Sequence, residues 1–440
     1  MASPPKPSYG SLLRNANYLR VFAAGLGSVA GSAIAGVCLV WLVAERTGSA
    51  LDVGLLATAW VVSALVFSVF GGTLVDRYDR RRLMIGSDIA RAVAMGWVTV
   101  ELAVWGFDLV SLLAAYAVVG AFTTIFSPAE QALVPQIVAA EDVADANGLV
   151  RSSRSALQFA GSAVAGVLLV TLGPVSGLAA NALTFALSAL LLTGMRITPS
   201  AGRAGELPRP GYFADLAGGF RWLWGARGFL QLTVSATFFN FCSGVVSTFL
   251  VFFATLVLRG GALDYALLLA AEVAGSGVGA LLVGRVGAVR WAGPAWTVPY
   301  GVVSGATVVA LAVAPSFPLA VVVLFALGAL GGFAGTAWLS AAQLLVPAGM
   351  QGRYFGVDNL GSIAILPAAQ LGGAFLVAGY GARTTFFWVG LAWVVAGLVF
   401  LLPRELRELG YRPGDAEEAS PRTGVGGAGT SGSPEGTRAG

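Results

Sequence analysis

Apolar stretches of roughly 20 residues or more, almost free of charge, recur along the chain, separated by short polar or glycine-rich breaks. A stretch of that length can cross a hydrocarbon core as a helix. The breaks predict helices near 19–44, 50–75, 82–105, 108–131, 145–171 and 174–195, and again near 228–257, 263–284, 289–313, 316–343, 352–379 and 382–402. Between the two sets runs a polar connector, 196–227, whose second part, "YFADLAGGFRWLWGARG", reads as a short amphipathic helix. The expected fold is an all-α membrane protein of twelve transmembrane helices in two six-helix bundles, 19–195 and 228–402. Residues 1–18 read as a cytoplasmic segment and not as a cleaved leader. Residues 403–440, rich in Gly, Ser and Pro, read as a disordered cytoplasmic tail.

Composition supports this class and narrows the chemistry. The chain is 57% hydrophobic over 440 residues, with a mean hydropathy of +0.80. A soluble protein of this size has too little polar surface to cover such an interior. Histidine is absent, which excludes imidazole proton shuttling and histidine metal ligation. Cys38 and Cys242 fall in apolar runs and read as buried small hydrophobes. The net charge of +4 belongs to loops and does not point to a nucleic-acid partner. With twelve crossings, the loops on one side carry three arginines, Arg46, Arg259 and Arg383, whereas the opposite loops carry fourteen. Basic loops stay in the cytoplasm during insertion, so both termini are expected inside. A usage of 25 arginines to one lysine, Lys6, fits a GC-rich bacterial genome and hence a bacterial plasma membrane.

The two sets of helices echo each other. "LDVGLLATA" at 51–59 returns as "LDYALLLAA" at 263–271, and "QALVP" at 131–135 returns as "QLLVP" at 343–347, both at an offset of 212. A weaker echo pairs "LVDRYDRRR" at 74–82 with "LVGRVGAVR" at 282–290, at an offset of 208. Three matches in one order indicate duplication. Two related halves are the architecture of an alternating-access carrier, with its substrate site between them near mid-membrane.

The break at 71–83, "GGTLVDRYDRRRL", is the most charged place in the chain, with six charged residues among the seven from Asp76 to Arg82. Gly71 and Gly72 permit close approach at the end of the second helix. Asp76, Arg77, Arg80, Arg81 and Arg82 could dock on helix ends of the other half in one conformation and release in another. Each such contact contributes about 0.3–1 kcal/mol where exposed. A plain topology anchor is the alternative.

The stretch resembles the signature between the second and third helices of the major facilitator superfamily, which Gly72, Leu74, Asp76, Arg77, Arg80, Arg81 and Arg82 match. "LLRNANYLRVF", "FSPAEQALVPQIVAAEDVADANGLVRSSR" and "LPAAQLGG" further resemble its drug- and siderophore-export branch. The resemblance covers about residues 1–402 and implies a carrier without naming its substrate. Asp79 stands where the signature has glycine, the fourth helix lacks the arginine of drug antiporters, and Ser162 replaces an expected proline. Proton antiport therefore does not follow from the resemblance.

Ionisable residues within spans are functional candidates. Glu272, midway along the eighth helix, leads. Gly275 and Gly279 follow at i+3 and i+7, which places it on a face that packs against protein. A carboxyl beside a cavity could couple protons or bind substrate; a structural, hydrogen-bonded glutamate is the alternative. Glu101, near the outer end of the third helix, is a weaker candidate for the same roles because it can snorkel to water. Asp88 and Arg91, at i,i+3, read as a structural pair. Glu130, Arg151 and Arg154 read as an inner salt-bridge network, and Asp358 as a docking partner for the arginine loop. Asn240 within "ATFFNFCSG", with Phe239 beside it, suits an amide in a greasy substrate cavity, and Asn181, Gln158 and Gln370 are further candidates. Tryptophans near span ends are expected to be interface anchors.

Sparse intramembrane charge and many aromatics suit small hydrophobic or amphipathic cargo better than sugars. The leading reading is a secondary exporter driven by protons or another coupling ion. It would be monomeric, embedded in the lipid bilayer, and without cofactor, metal or nucleic-acid partner. No Walker-type loop is present and no cluster of catalytic groups stands out, so neither direct ATP drive nor enzyme chemistry is expected. An uptake permease or facilitator is the alternative within transport; a membrane enzyme or receptor on a transporter scaffold is the alternative outside it.

Overall fold

A computed structural model describes residues 9–195, 212–286, 294–347 and 350–400. Its regular elements are helical throughout. They are α1 (Tyr9–Arg14), α2 (Ala16–Thr47), α3 (Ala50–Arg77), α4 (Arg80–Val104), α5 (Leu109–Ile137), α6 (Val143–Thr171) and α7 (Pro174–Thr193). After the connector come α8 (Tyr212–Gly225), α9 (Arg227–Phe252), α10 (Ala262–Val286), α11 (Pro294–Ala312), α12 (Phe317–Leu345), α13 (Gln351–Ala364) and α14 (Leu366–Val399). Among the described residues, ten helical stretches are long and apolar enough to cross a membrane; the last, Gln351–Val399, spans 49 residues, and a shorter apolar helix covers Pro299–Ala312. That last stretch turns at Gly381, whose φ of 79° is open to glycine and costly for other residues.

Local chemistry sets several boundaries. Asn15 caps α2 by accepting from the backbone N–H groups of Asn17 and Tyr18 at 3.0 and 3.2 Å. Ser49 caps α3 through the Asp52 N–H at 3.2 Å. Asp79, which breaks the glycine pattern of the charged loop, caps α4: its Oδ1 accepts from the Arg82 N–H at 2.8 Å, with φ at −61°. The turn therefore needs no left-handed residue, and a carboxylate at a helix start also meets the favourable end of the dipole. The fourth helix runs to Ile137, past the expected 131, with Pro128 and Pro135 inside it. α9 ends in a single π-turn, Phe253–Val257.

The helices before the connector pack with one another, chiefly α2 on α7 and α6, α3 on α5, and α4 on α5 and α7. Those after it do the same, with α10 on α12, α11 on α14, and α14 on α9. The two groups meet along α6 against α10 and α3 against α14. The closest helix pair is α10 with α12. A Cβ on Gly275 or Gly279 would overlap the carbonyls of Phe325 or Ala329, and one on Gly328 or Gly332 would overlap those of Glu272 or Ser276. Glycines four apart on both helices let the two backbones touch, which is how helices gain dispersion contact where lipid removes any hydrophobic drive.

The apolar interior divides by depth. At the ends remote from α8, one continuous cluster runs through both groups, including Leu39, Val53, Leu178, Phe249, Tyr265 and Phe386. At the ends near α8, each group has a core of its own: Val21, Val75, Met84 and Leu192 in the first, Leu223, Phe229, Val346 and Tyr354 in the second. Among the described residues the halves thus share one core at one end and keep separate cores at the other.

The charged loop engages its own half. Arg81 Nε donates to the Leu192 carbonyl at 2.8 Å and Nη2 to that of Thr193 at 2.5 Å, while Arg20 Nη1 donates to Gly194 O at 2.6 Å. Two guanidinium groups so satisfy the free carbonyls at the end of α7, where the dipole favours cations. Arg81→Gln is expected to lower stability by about 1–2 kcal/mol, with part regained in Arg81→Lys; thermal unfolding of the purified protein in detergent measures it.

Candidate transport site

The seal between the halves is built from small residues. Gly54 of α3 sits under Gln370 and Ala374 of α14, where an added Cβ would lie 2.7 Å from the Gln370 carbonyl. Gly166 of α6 lies against Leu263 and Ala266 of α10. Trp41 of α2 stacks on Tyr265 of α10 with ring centroids 6.3 Å apart. One polar bridge crosses the seal: the Thr58 hydroxyl donates to Gln370 Oε1 at 3.2 Å.

Beneath the seal stands Glu272. It lies seven residues beyond Tyr265 on α10 and so shares the face that Tyr265 turns toward the first half. Its main chain abuts Gly328 of α12. The carboxyl is half-buried and has no hydrogen-bond or ion-pair partner among the described residues. It is near enough to act electrostatically on the hydroxyls of Tyr265 and Tyr300, and Tyr265 in turn neighbours Tyr116. A carboxyl without a fixed partner, close to two tyrosines of its own half, can hold a proton or a cationic group.

The other intramembrane charges are committed. Asp88 and Arg91 are 0% and 2% exposed and pair at 2.5 Å. Ser188 donates to the second Asp88 oxygen at 2.6 Å, and the Arg91 guanidinium lies between the rings of Phe126 and Phe185, 4.5 and 4.4 Å from their centroids. Glu130 pairs with Arg154, joining α5 to α6 beside Gly25 of α2. Arg151 is exposed and takes no part in that pair. Glu101 accepts a hydrogen bond from Ser111, itself a partner of the Trp97 indole at 3.2 Å.

The remaining candidates scatter. Phe239 is buried within its own half against Tyr300, Trp393 and Phe400, at 5.5, 6.0 and 6.1 Å, and so packs the bundle. Asn181 is buried opposite Gly31 of α2, and Gln370 belongs to the seal. Asn240 is half-buried and Gln158 exposed. Asp358 lies by the Thr233 hydroxyl and the Trp338 indole of its own half, and no ion pair joins it to Arg80 or Arg81 among the described residues. Gly72, Asp76 and Arg77 fall within α3, but their side chains lie outside the described residues. Trp41, expected at the lipid interface, is instead part of the seal. Its position near a span end looks the same in sequence for both roles, and only the facing tyrosine tells them apart.

The chain matches the family model described as transmembrane secretion effector over residues 8–409. It is 28% identical over 426 residues to the multidrug efflux pump Tap of Mycobacterium tuberculosis, covering 91% of this chain and 97% of that one. It is 27% identical over 232 residues to macrolide efflux protein A of Streptococcus pyogenes, 51% of this chain and 55% of that protein. Among solved structures, a bacterial homolog of the human lysosomal transporter Spinster superposes with a TM-score of 0.71 at 15% identity, over 91% of this chain and 99% of that one. The nucleoside transporter NupG gives 0.67 at 12% identity, over 87% and 98%. A bundle of apolar helices in two groups, sealed at one end around a carboxyl and matched by that model across its span-forming length, places this chain in the transmembrane secretion effector family of the major facilitator superfamily, as a multi-pass protein of the bacterial plasma membrane.

Proposed function

We propose that the protein exports small hydrophobic or amphipathic molecules by alternating access, in exchange for protons, through twelve spans with both termini in the cytoplasm. The observation that carries this is Glu272: a carboxyl without a partner among the described residues, on the face of α10 that Tyr265 turns toward the first half, below a seal that closes one face. That count is supported by ten span-length stretches among the described residues, the last of which turns at Gly381, and by the shorter Pro299–Ala312. The arginine distribution favours α8 inside, which makes the sealed face the outer one and the arrangement inward-facing in this reading. The names of the relatives, a multidrug and a macrolide efflux protein, support the outward direction.

Export requires the seal to open. Removing its polar bridge with Gln370→Ala should shift the balance toward the outward-open form by about 1 kcal/mol, roughly fivefold. A cysteine at the buried Val53, labelled by an impermeant maleimide from the outer face, should then react about that much faster. In the opposite state the arginine loop and Asp358 are proposed to meet as a gate. Reversing the charges of Arg80 and Asp358 together should restore transport that either single reversal impairs.

The whole reading is tested in everted vesicles. A fluorescent hydrophobic dye should accumulate in energised vesicles containing the protein, and an uncoupler should abolish the accumulation. Equal dye uptake with and without the protein would overturn the reading.

A further inference from the structure

The connector helix α8 has three distinct sides. Leu216, Gly219 and Leu223, at i, i+3 and i+7, face the second half, where Gly219 lies against the Arg353 carbonyl and Val357 of α13. Trp222 reinforces that side, packed on Phe229 and Tyr354 at 5.4 and 5.9 Å. One turn apart on the adjoining side, Phe220 and Trp224 are 48% and 76% exposed. Arg221 and Gly225, at i and i+4, are exposed on the side turned away from the bundle. Only Ala226 separates the end of α8 at Gly225 from α9, a span-length helix that starts at Arg227. A helix tied to a span by one residue and clamped to the first turns of another lies at the level where those spans leave the hydrocarbon.

We propose that α8 is a lipid-reading helix: it lies in the cytoplasmic interface with Phe220 and Trp224 among the upper acyl chains, and Arg221 binds anionic phospholipid headgroups. The geometry matches what an interfacial helix needs, an aromatic side beside a cationic one. Aromatic rings settle at the headgroup boundary, and each arginine near an anionic surface adds attraction. The partner is an anionic phospholipid, because the charge exposed on α8 among the described side chains, Arg221, is positive. The seat on the membrane also reaches the interior: Trp222 carries it to Tyr354, whose hydroxyl is 3.4 Å from that of Thr233, beside Asp358. Anionic lipid thereby steadies the inner end of α13, the part of the second half that must move when the inner face closes.

The test uses the full chain, purified and reconstituted into liposomes of phosphatidylcholine alone or with phosphatidylglycerol. Nitroxides are placed at Phe220→Cys, Trp224→Cys and Gly225→Cys, where an added Cβ meets nothing within 4 Å; Cys38 and Cys242 are buried and do not compete for label. Labels at 220 and 224 should be reached by oxygen and shielded from a water-soluble nickel relaxant, and the label at 225 should show the reverse. Phosphatidylglycerol should deepen the shielding, and Arg221→Gln should weaken that lipid dependence about fivefold, the factor for about 1 kcal/mol per arginine. Water-exposed labels at both 220 and 224 would overturn the proposal. Inserted labels that ignore phosphatidylglycerol, or an Arg221→Gln protein with an unchanged response, would overturn its anionic part. None of these readings depends on transport, so they stand apart from the export reading.

Discussion

Glu272→Gln is expected to reduce dye accumulation in energised vesicles to the level seen with uncoupler, while the protein is made, inserted and folded as before. The reason is the asymmetry of its surroundings. The carboxyl has no donor or cation to leave behind, so the amide of glutamine costs the fold nothing, and the lone charge it removes was itself costly at that depth. What is lost is the capacity to take up and release a proton on a face that both halves share. Glu272→Asp keeps that capacity one methylene shorter and should retain partial, still uncoupler-sensitive accumulation. Facilitated dye equilibration through the glutamine variant should persist, because the route between the halves is intact. Full coupled accumulation in Glu272→Gln would remove this residue from the coupling mechanism.

Arg91→Met should produce the largest loss of stability, about 3–5 kcal/mol, because it strips the counter-charge from a carboxylate with no access to water. Asp88 would keep only the Ser188 hydroxyl, and the rings of Phe126 and Phe185 would lose the cation they enclose. Asp88→Asn with Arg91→Met removes both charges together and should recover most of the loss, since the penalty comes from the unpaired charge. Chemical unfolding in detergent micelles, followed for both single variants and the double, gives the coupling energy. A double variant no more stable than Arg91→Met would mean that the rings, not the charge balance, hold this place.

How much of this was legible in the chain depends on the range of the interaction. Span-length helices follow from runs of apolar residues, and Asp88 with Arg91 follows from i,i+3 spacing, because both are local. Gly275 and Gly279 likewise mark a packing face on α10. That face meets a second glycine pair, Gly328 and Gly332, more than 50 residues away, and no periodicity within one helix names its partner. The same limit separates expectation from structure at Phe239 and Trp41. An aromatic in an apolar helix reads alike whether it faces substrate, lipid or a neighbouring ring. Arg81 shows a further limit: a basic loop signals its side of the membrane through charge alone, whereas its docking on the end of α7 depends on where two distant helices finish. Asp79 was legible in principle. A carboxylate three residues before Arg82 at the start of a helix is a capping pattern, although the superfamily signature draws attention to the missing glycine instead.

The seam that joins the halves holds Gly54, Gly166, Ala374, Trp41 and Tyr265, and its one polar link is neutral. Interactions of that kind are indifferent to mobile ions, which weaken only contacts between charges. The resting posture of this carrier should therefore hold across a wide range of ionic strength. Brine and dilute buffer would leave the same mouth shut, and temperature would be the lever that loosens it.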